Sequence, residues 1–270
     1  MILSEDDIRY WQTWVGRTAA RDERLDPAAL RRFGSALGEA GQPSLAHWAF
    51  FLPDIPVDEL DVDGHRKRGG FLPPVTLPRR MFAAATMQFR APLLIDEQAT
   101  QTATIRSVTR KSGHAGELVL VEVENRILQR DLLRIVEVQT IIYRDEGPAT
   151  PPVAPAPFTV REEDMVWHPS TVELFRFSAV TFNAHRIHYD QTYATSAEGY
   201  PGLVVHGPLT AARLFSLAYR QGQPTGFAFR AMAPLFQGQP ILLRAGSAPG
   251  TFEAVRCDAA VAMQASATYG

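Results

Sequence analysis

One short segment of the chain carries most of the side chains that could do chemistry. It spans eight residues and contains an amide, two histidines and an acid: Asn183, His185, His188 and Asp190. A further histidine, His206, stands beside Gly207 at the predicted start of a buried helix. An imidazole can take a proton from water near neutral pH, and N–H groups at a helix N-terminus stabilise a negatively charged oxygen. Together these groups predict the addition of water to an unsaturated thioester.

Hydration of an enoyl thioester requires a base, an acid and hydrogen-bond donors for the thioester oxygen. We predict that His188 is the base that activates water. Asn183 can orient the water, although an amide exchanges no proton at ordinary pH. The N–H of Gly207 is predicted to bind the thioester oxygen, since glycine permits close approach to the backbone.

These residues also allow simpler interpretations. His185 and His188 are three residues apart and could share a metal ion on one helical face. A catalytic zinc site usually has three protein ligands, and His206 could join them only through folding, so we predict no metal. Histidines hydrogen-bonded within a loop, and a turn role for Gly207, remain alternatives.

Composition excludes several classes of function. The 270 residues are 46% apolar and 21% charged, with a net charge of −2, which gives no general nucleic-acid or membrane surface. The single cysteine, Cys257, forbids an internal disulfide and fits a reducing compartment, and it lies in a predicted strand rather than at a catalytic position. The first residues show no secretory signal, and no apolar run approaches the roughly 20 residues that span a bilayer. We therefore expect a cytoplasmic protein.

A proline-rich segment, residues 147–157, has five prolines in eleven residues and predicts an extended linker. It divides the chain into residues 1–147, a linker at 148–158 and residues 159–270. Each half is predicted to contain helices followed by an antiparallel sheet, an α+β class. The N-terminal half is predicted to have helices at residues 4–15, 26–38 and 44–51, and strands at residues 101–111, 118–128 and 132–143. The C-terminal half is predicted to have a strand at residues 171–178, a buried helix at 207–221, and strands at 227–235, 240–245, 251–257 and 259–268.

The motif resembles a known family signature. The segment Phe-Asn-Ala-His-Arg-Ile-His-Tyr-Asp, residues 182–190, is similar to the Gly-Asp-x-Asn-Pro-Ile-His-x-Asp pattern of the MaoC-like, R-specific enoyl-CoA hydratases. Val-His-Gly-Pro-Leu, residues 205–209, resembles the family's His-Gly-Met-Leu, which begins the central helix of a hot-dog fold. The resemblance implies that His188 is the catalytic histidine and Gly207 the oxyanion glycine. Asn183 stands where the family has a catalytic Asp, so either His188 acts as base and acid or another group supplies the second proton.

Two further segments narrow the resemblance. Residues 69–81 and the pair His47-Trp48 are similar to a two-hot-dog subgroup that includes itaconyl-CoA hydratase, mesaconyl-C4-CoA hydratase and hydroxyacyl thioester dehydratases. This implies a double hot-dog whose second half is catalytic and whose degenerate first half shapes the acyl pocket and supports CoA. It also implies reversible hydration of a short, branched, dicarboxylic enoyl-CoA without a cofactor, CoA being part of the substrate. A homodimer is optional, because two hot-dogs in one chain already mimic the usual dimer.

The substrate-binding residues are predicted from their charge. A guanidinium binds a carboxylate or phosphate with paired hydrogen bonds, so one arginine is expected to hold the substrate's free carboxylate and others the CoA phosphates. The predicted substrate-binding set is Arg186, His185, His206, Arg79 and Arg80. The basic run His65-Arg-Lys-Arg68 is either a solvated loop or a further phosphate contact.

Two rival functions share the same motif. One is dehydration of fatty 3-hydroxyacyl thioesters, and the other is binding of acyl-CoA without turnover. The missing Asp favours the second rival, and the retained His188 opposes it.

Overall fold

The computed structural model describes residues 3–39, 43–113, 116–157 and 159–270. Its ten strands form one sheet in the order β1-β3-β4-β5-β2-β7-β10-β9-β8-β6, which confirms the α+β class. The helices are α1 (Glu5–Gln12), α2 (Pro27–Leu37), α3 (Thr171–Val180), α4 (Gln191–Ser196) and α5 (Gly207–Tyr219). The strands are β1 (Thr18–Arg24), β2 (Arg79–Phe89), β3 (Gln98–Gly113), β4 (Gly116–Gln129), β5 (Leu132–Arg144), β6 (Met165–Trp167), β7 (Pro224–Ala231), β8 (Ile241–Ala245), β9 (Thr251–Val255) and β10 (Val261–Tyr269).

Each half of the chain contributes five consecutive strands of this sheet. The halves meet where β2 pairs antiparallel with β7, from Ala84 opposite Arg230 to Gln88 opposite Gly226. Every other paired strand in the sheet is antiparallel as well. The two sheets of the predicted fold are thus joined edge to edge.

Helix α5 packs against the C-terminal strands β7 to β10. Leu209, Ala211, Ala212 and Leu214 have no exposed surface. A helix that is apolar on nearly all sides is stable only when other elements surround it, as predicted from its sequence. Its burial fixes the position of its first turn, where the predicted site lies.

The N-terminal helices form where the sequence predicts them. Ser4 and Asp7 make a capping box at the start of α1. Asp26 caps α2, and Gly38 ends it with φ +68°, in the left-handed region that glycine adopts easily. The predicted helix at residues 44–51 is a short 3-10 helix, Ala46–Ala49.

The predicted strand at residues 171–178 is wrong, because these residues form helix α3. Ser170 and Glu173 make a capping box there, with each side chain bonded to the other's backbone N–H. Phe177 packs on Phe33 of α2, with ring centroids 6.0 Å apart. The cap and this contact outweigh the strand propensity of the segment's aromatic and β-branched residues.

Several elements were not predicted, and β2 is the most important of them. Its sequence, Arg-Arg-Met-Phe-Ala-Ala-Ala-Thr-Met-Gln-Phe, lacks regular alternation. The strand lies between β5 and β7 at the centre of the sheet, so its pairing partners are distant in sequence. Strands β1 and β6 and helix α4 were also missed.

The proline-rich segment contains no helix or strand in its described part, residues 147–157. It lies along the C-terminal half, where Thr150 donates to the Gly199 carbonyl and Ala156 to that of Cys257. The exact domain boundary stays a prediction. In the described part of the chain, no helix has the length and apolar character needed to cross a bilayer.

Candidate active site

His188 lies on a 3-10 turn, Arg186–His188, which is fixed to the segment that leads into α5. The Val204 N–H donates to the Ile187 carbonyl at 3.0 Å. In return, His188 Nδ1 donates to the Val204 carbonyl at 2.8 Å. Because a carbonyl can only accept, Nδ1 carries the proton of the neutral ring and Nε2 is left as its basic atom.

The environment of His188 keeps its ring neutral. The residue is only 7% exposed. Burial lowers the pKa of His188 to about 4, since a buried imidazolium loses its hydration. At neutral pH the ring is therefore in the form that accepts a proton.

His206 supports His188 from behind. The two rings stack with centroids 3.7 Å apart and an interplanar angle of 22°. The Nε2 atom of His206 is 2.8 Å from Ser178 Oγ on α3. Burial, followed by the charges of His188 and His185, holds the pKa of His206 well below its usual range. His206 has no exposed surface and packs against the His188 ring, and its predicted contact with the substrate stays a prediction.

Gly207 follows His206 directly and is the first residue of α5. The first N–H groups of a helix have no partner within the helix, so they can bind an anionic oxygen. A Cβ added to Gly207 would lie 3.6 Å from the Phe82 carbonyl oxygen, an ordinary contact. The protein itself therefore leaves room for a methyl group here, and any requirement for glycine arises on the substrate side.

Asn183 organises the turn that carries the histidines. Its Oδ1 accepts the His185 N–H at 3.0 Å, and its own N–H donates to the Ser178 carbonyl at 2.8 Å. The side-chain carbonyl is thus occupied, and the amide NH₂ is the part that can orient a water molecule.

A hairpin from the N-terminal half contacts this turn. We call residues 59–67 the N-terminal hairpin; Leu60 and Arg66 form its antiparallel bridge. At its tip the Asp63 carbonyl accepts the Arg186 N–H at 2.9 Å. A Cβ on Gly64 would lie 1.8 Å from the Ala184 carbonyl oxygen, so only glycine permits this approach.

The hairpin brings His65 into the site. The His65 and His185 rings lie 4.0 Å apart, and the His185 and His188 rings 5.4 Å apart. Burial, followed by the charges of His65 and His188, lowers the pKa of His185. His185 is therefore a neutral ring between two others.

One set of described residues has the composition of a metal site. Asp63, His65 and His185 each offer one ligand atom, and these atoms lie within 4.8 Å of one another. However, Asp63 Oδ2 and His65 Nδ1 are already hydrogen-bonded to each other at 2.9 Å. The prediction that no metal is bound stays untested.

The predicted arginines fall into two groups. Arg79, whose side chain is 10% exposed, is ion-paired with Glu198 at 3.3 Å, and Arg186 is ion-paired with Asp190 at 2.7 Å. Arg80 has no carboxylate partner among the described residues, and its Nη2 donates to the Arg66 carbonyl at 3.1 Å. Its charge acts on the pKa of His185, which places it beside the site. Arg80 is thus the predicted arginine best able to bind a substrate carboxylate.

Sequence reasoning missed Ser178 and Asp63, and assigned His65 only to a basic run. No local pattern indicates that Ser178 contacts a histidine on another element. The Asp63-Gly64-His65 triplet did carry a signal, since an Asp two residues before a His can accept from its backbone and its ring.

Comparison with known proteins agrees with the fold. The structure resembles that of HtdX of Mycobacterium tuberculosis with a TM-score of 0.68 at 16% sequence identity. The match covers 93% of this chain and 99% of HtdX. A second M. tuberculosis protein, described as having a double hot-dog fold, has a TM-score of 0.52 at 14% identity, covering 94% of this chain and 96% of that one. The molecule is a double hot-dog protein, as predicted. Its match to a dehydratase family and its 42% identity to a hydratase show in addition that it is a hydro-lyase, as predicted.

A more specific assignment follows from the sequence itself. The family model of hydroxyacyl-thioester dehydratase type 2 matches residues 45–237, so the chain belongs to that family. The chain is also 42% identical to mesaconyl-C(4)-CoA hydratase of Chloroflexus aurantiacus over 280 aligned positions, covering 96% of this chain and 98% of the relative. The predicted MaoC-like resemblance is confirmed.

Proposed function

We propose that the protein reversibly hydrates a short, branched, dicarboxylic enoyl-CoA of the mesaconyl-C4-CoA or itaconyl-CoA type. The observation that carries the proposal is the neutral His188. Its Nδ1 donates to the Val204 carbonyl, and its ring stacks on His206, the residue immediately before α5. The similarity to a mesaconyl-C(4)-CoA hydratase over nearly the whole chain supports the substrate class.

The reaction follows from this geometry. His188 Nε2 takes a proton from water while the water oxygen bonds to C3 of the enoyl group. The electron pair of the C2–C3 double bond moves into the thioester, whose oxygen accepts the Gly207 N–H. Protonation of C2 completes the addition, and dehydration is the reverse. No step requires a cofactor besides the CoA carried by the substrate.

Arg80 supplies substrate selectivity in this proposal. A guanidinium without a protein carboxylate can pair with the free carboxylate of the acyl group. Arg79 and Arg186, whose charges are matched by Glu198 and Asp190, hold the architecture of the site.

A substrate panel tests the function. Hydration of mesaconyl-C4-CoA, itaconyl-CoA and crotonyl-CoA is followed by loss of the conjugated-thioester absorbance. We expect a dicarboxylyl-CoA to be preferred, and Arg80→Gln to raise its KM about 10-fold while changing crotonyl-CoA turnover little. Preference for crotonyl-CoA or longer monocarboxylic substrates would favour fatty 3-hydroxyacyl thioesters instead, as the family description suggests. Binding without turnover would leave an acyl-CoA-binding module.

Location and assembly are proposed from weaker observations. Cys257 is buried and unpaired, in keeping with the reducing conditions of the cytoplasm. In this proposal both joined hot-dogs contribute to one site within a single chain, and a homodimer stays optional.

A further inference from the structure

The proposed reaction needs a group that protonates C2, and Asn183 cannot provide it. Asp190 is paired with Arg186, and His206 has no exposed surface. Burial, followed by the charge of Glu198, raises the pKa of Tyr193 to about 12, which makes its phenol a weak acid at neutral pH. The C-terminal half therefore offers His188 as its base but no obvious partner acid.

The N-terminal hairpin carries a histidine that is held by a carboxylate. Asp63 Oδ1 accepts the His65 backbone N–H at 2.8 Å, and Oδ2 accepts from His65 Nδ1 at 2.9 Å. These two bonds fix the ring orientation and the tautomer, with Nε2 directed away from Asp63. Burial raises the pKa of the Asp63 carboxyl, but the hydrogen bonds and charge of His65 outweigh it and hold that pKa well below its usual range. As in Ser-His-Asp triads, a carboxylate bonded to Nδ1 orients the ring and leaves Nε2 as the atom available for proton transfer.

The position of His65 relative to His188 suits a second proton-transfer group. The His185 ring is close to both, with centroid distances of 4.0 Å to His65 and 5.4 Å to His188. The His65 side chain is 26% exposed, so it is in contact with solvent rather than enclosed in the core. The tip of the hairpin is docked by the Asp63–Arg186 backbone bond and by close contact of Gly64 with Ala184. The ring is thus held by the fold itself.

We propose that His65, oriented by Asp63, is the catalytic acid that protonates C2, so that the two halves of the chain each supply one proton-transfer residue. The inference rests on the proposed hydratase function. In the hydration direction the His65 Nε2–H bond breaks as the C2–H bond forms, and the electron pair returns to His65 Nε2. His188 then holds the proton from water, and exchange with solvent restores both rings before the next turnover. In dehydration, neutral His65 removes the C2 proton.

Substitution of His65 provides the test. His65→Gln keeps the volume and polarity of the side chain but cannot transfer a proton, and we expect kcat on the preferred enoyl-CoA to fall about 100-fold or more, with KM little changed. Imidazole added to His65→Ala should restore part of the rate in proportion to its concentration. Asp63→Asn retains an acceptor for Nδ1 without the charge, and its kcat should lie between those of the wild type and His65→Gln.

The matched control is His168→Gln, at an exposed histidine outside the site, and it should leave kcat unchanged. Circular dichroism of each variant confirms that it is folded. Activity of His65→Gln close to that of the wild type, or a loss in His65→Ala that imidazole does not relieve, would overturn the inference. So would one tightly bound zinc per chain whose removal abolishes activity. Failure of the wild type to hydrate any enoyl-CoA refutes the proposed function itself, which is a different result.

Discussion

Each half of the molecule contains a buried histidine beside other polar groups, and the two sites differ in an instructive way. In the N-terminal half, His47 is 4% exposed, and its Nε2 is 3.6 Å from Glu137 Oε2. Neither ring nitrogen of His47 has a hydrogen-bond partner in the described structure. The Glu137 carboxylate accepts instead from Trp48 Nε1 and Gln139 Nε2, both at 3.0 Å. In the C-terminal half, the His188 tautomer is fixed by Val204.

Burial alone therefore does not define which ring nitrogen of a histidine is basic. The His47 ring faces the aromatic rings of Trp48 and Phe89, at 5.5 and 6.3 Å between centroids. His188 has a defined basic nitrogen, stacks on the residue that precedes α5, and lies on a turn that the N-terminal hairpin contacts. The difference lies in which elements surround the ring, and it predicts that only one of the two histidines is required for chemistry.

The largest effect is expected from replacing each histidine in turn with glutamine. His188→Gln can still donate to the Val204 carbonyl but cannot accept a proton, so we expect kcat to fall roughly 1,000-fold or more. His47→Gln should lower the free energy of unfolding by about 1 kcal/mol and leave kcat nearly unchanged. Steady-state kinetics and thermal unfolding of both variants measure these outcomes. An equal loss of kcat in the two variants would show that the N-terminal cluster also takes part in the reaction.

The sequence alone predicts that His188 and Gly207 belong to one site, because their signals are local. The motif at residues 182–190 and the Gly-Pro helix start are contiguous, and the apolar sequence of α5 indicates its burial. The hairpin contact could not be predicted in this way. It depends on Gly64 meeting Ala184 across about 120 residues, and on β2 pairing with β7, neither of which leaves a periodic pattern in the sequence.

For the same reason, the sequence cannot distinguish arginines that are paired within the protein from those left to bind a substrate. Charge type is visible in the sequence, but the partner of each guanidinium is set by folding. Glu198 neutralises Arg79 across a large separation in the chain, whereas Arg80, the next residue, lies beside the hairpin without a described acidic partner. Adjacent identical residues thus receive different roles because successive strand residues face opposite sides of the sheet.

The second prediction concerns stability in acid. Because buried histidines are neutral in the folded protein, the free energy of unfolding should fall as the pH falls. The pKa of His188 is about 4 in the folded state, so the unfolded chain binds the proton more readily. Its contribution to stability is complete above the unfolded value of about 6.5 and is lost as the pH falls towards 4, an effect of up to about 3 kcal/mol. His185 and His206 act in the same direction.

Urea unfolding of the wild type and His188→Gln between pH 7 and 4.5 measures this effect. The variant should lose less stability over that range, because it lacks one of the groups that become protonated on unfolding. His47→Gln supplies the comparison from the other half. Parallel stability curves for the wild type and His188→Gln would mean that His188 is already protonated, or solvated, in the folded protein.

The smallest effect, a fall in kcat of about 100-fold, is expected for Gly207→Ala. This variant tests the role of the helix N-terminus rather than that of the histidine. An alanine Cβ there meets the Phe82 carbonyl oxygen at 3.6 Å and Met263 at 4.0 Å, so the fold accommodates it. The methyl group would instead keep the thioester oxygen away from the Gly207 N–H, and kcat should fall with little change in thermal stability. Gly202→Ala is the matched control, since its Cβ would have no neighbour within 4 Å. Full activity in Gly207→Ala would place the oxygen elsewhere and leave His188 and the N-terminal hairpin as the features that separate the C-terminal site from the N-terminal cluster.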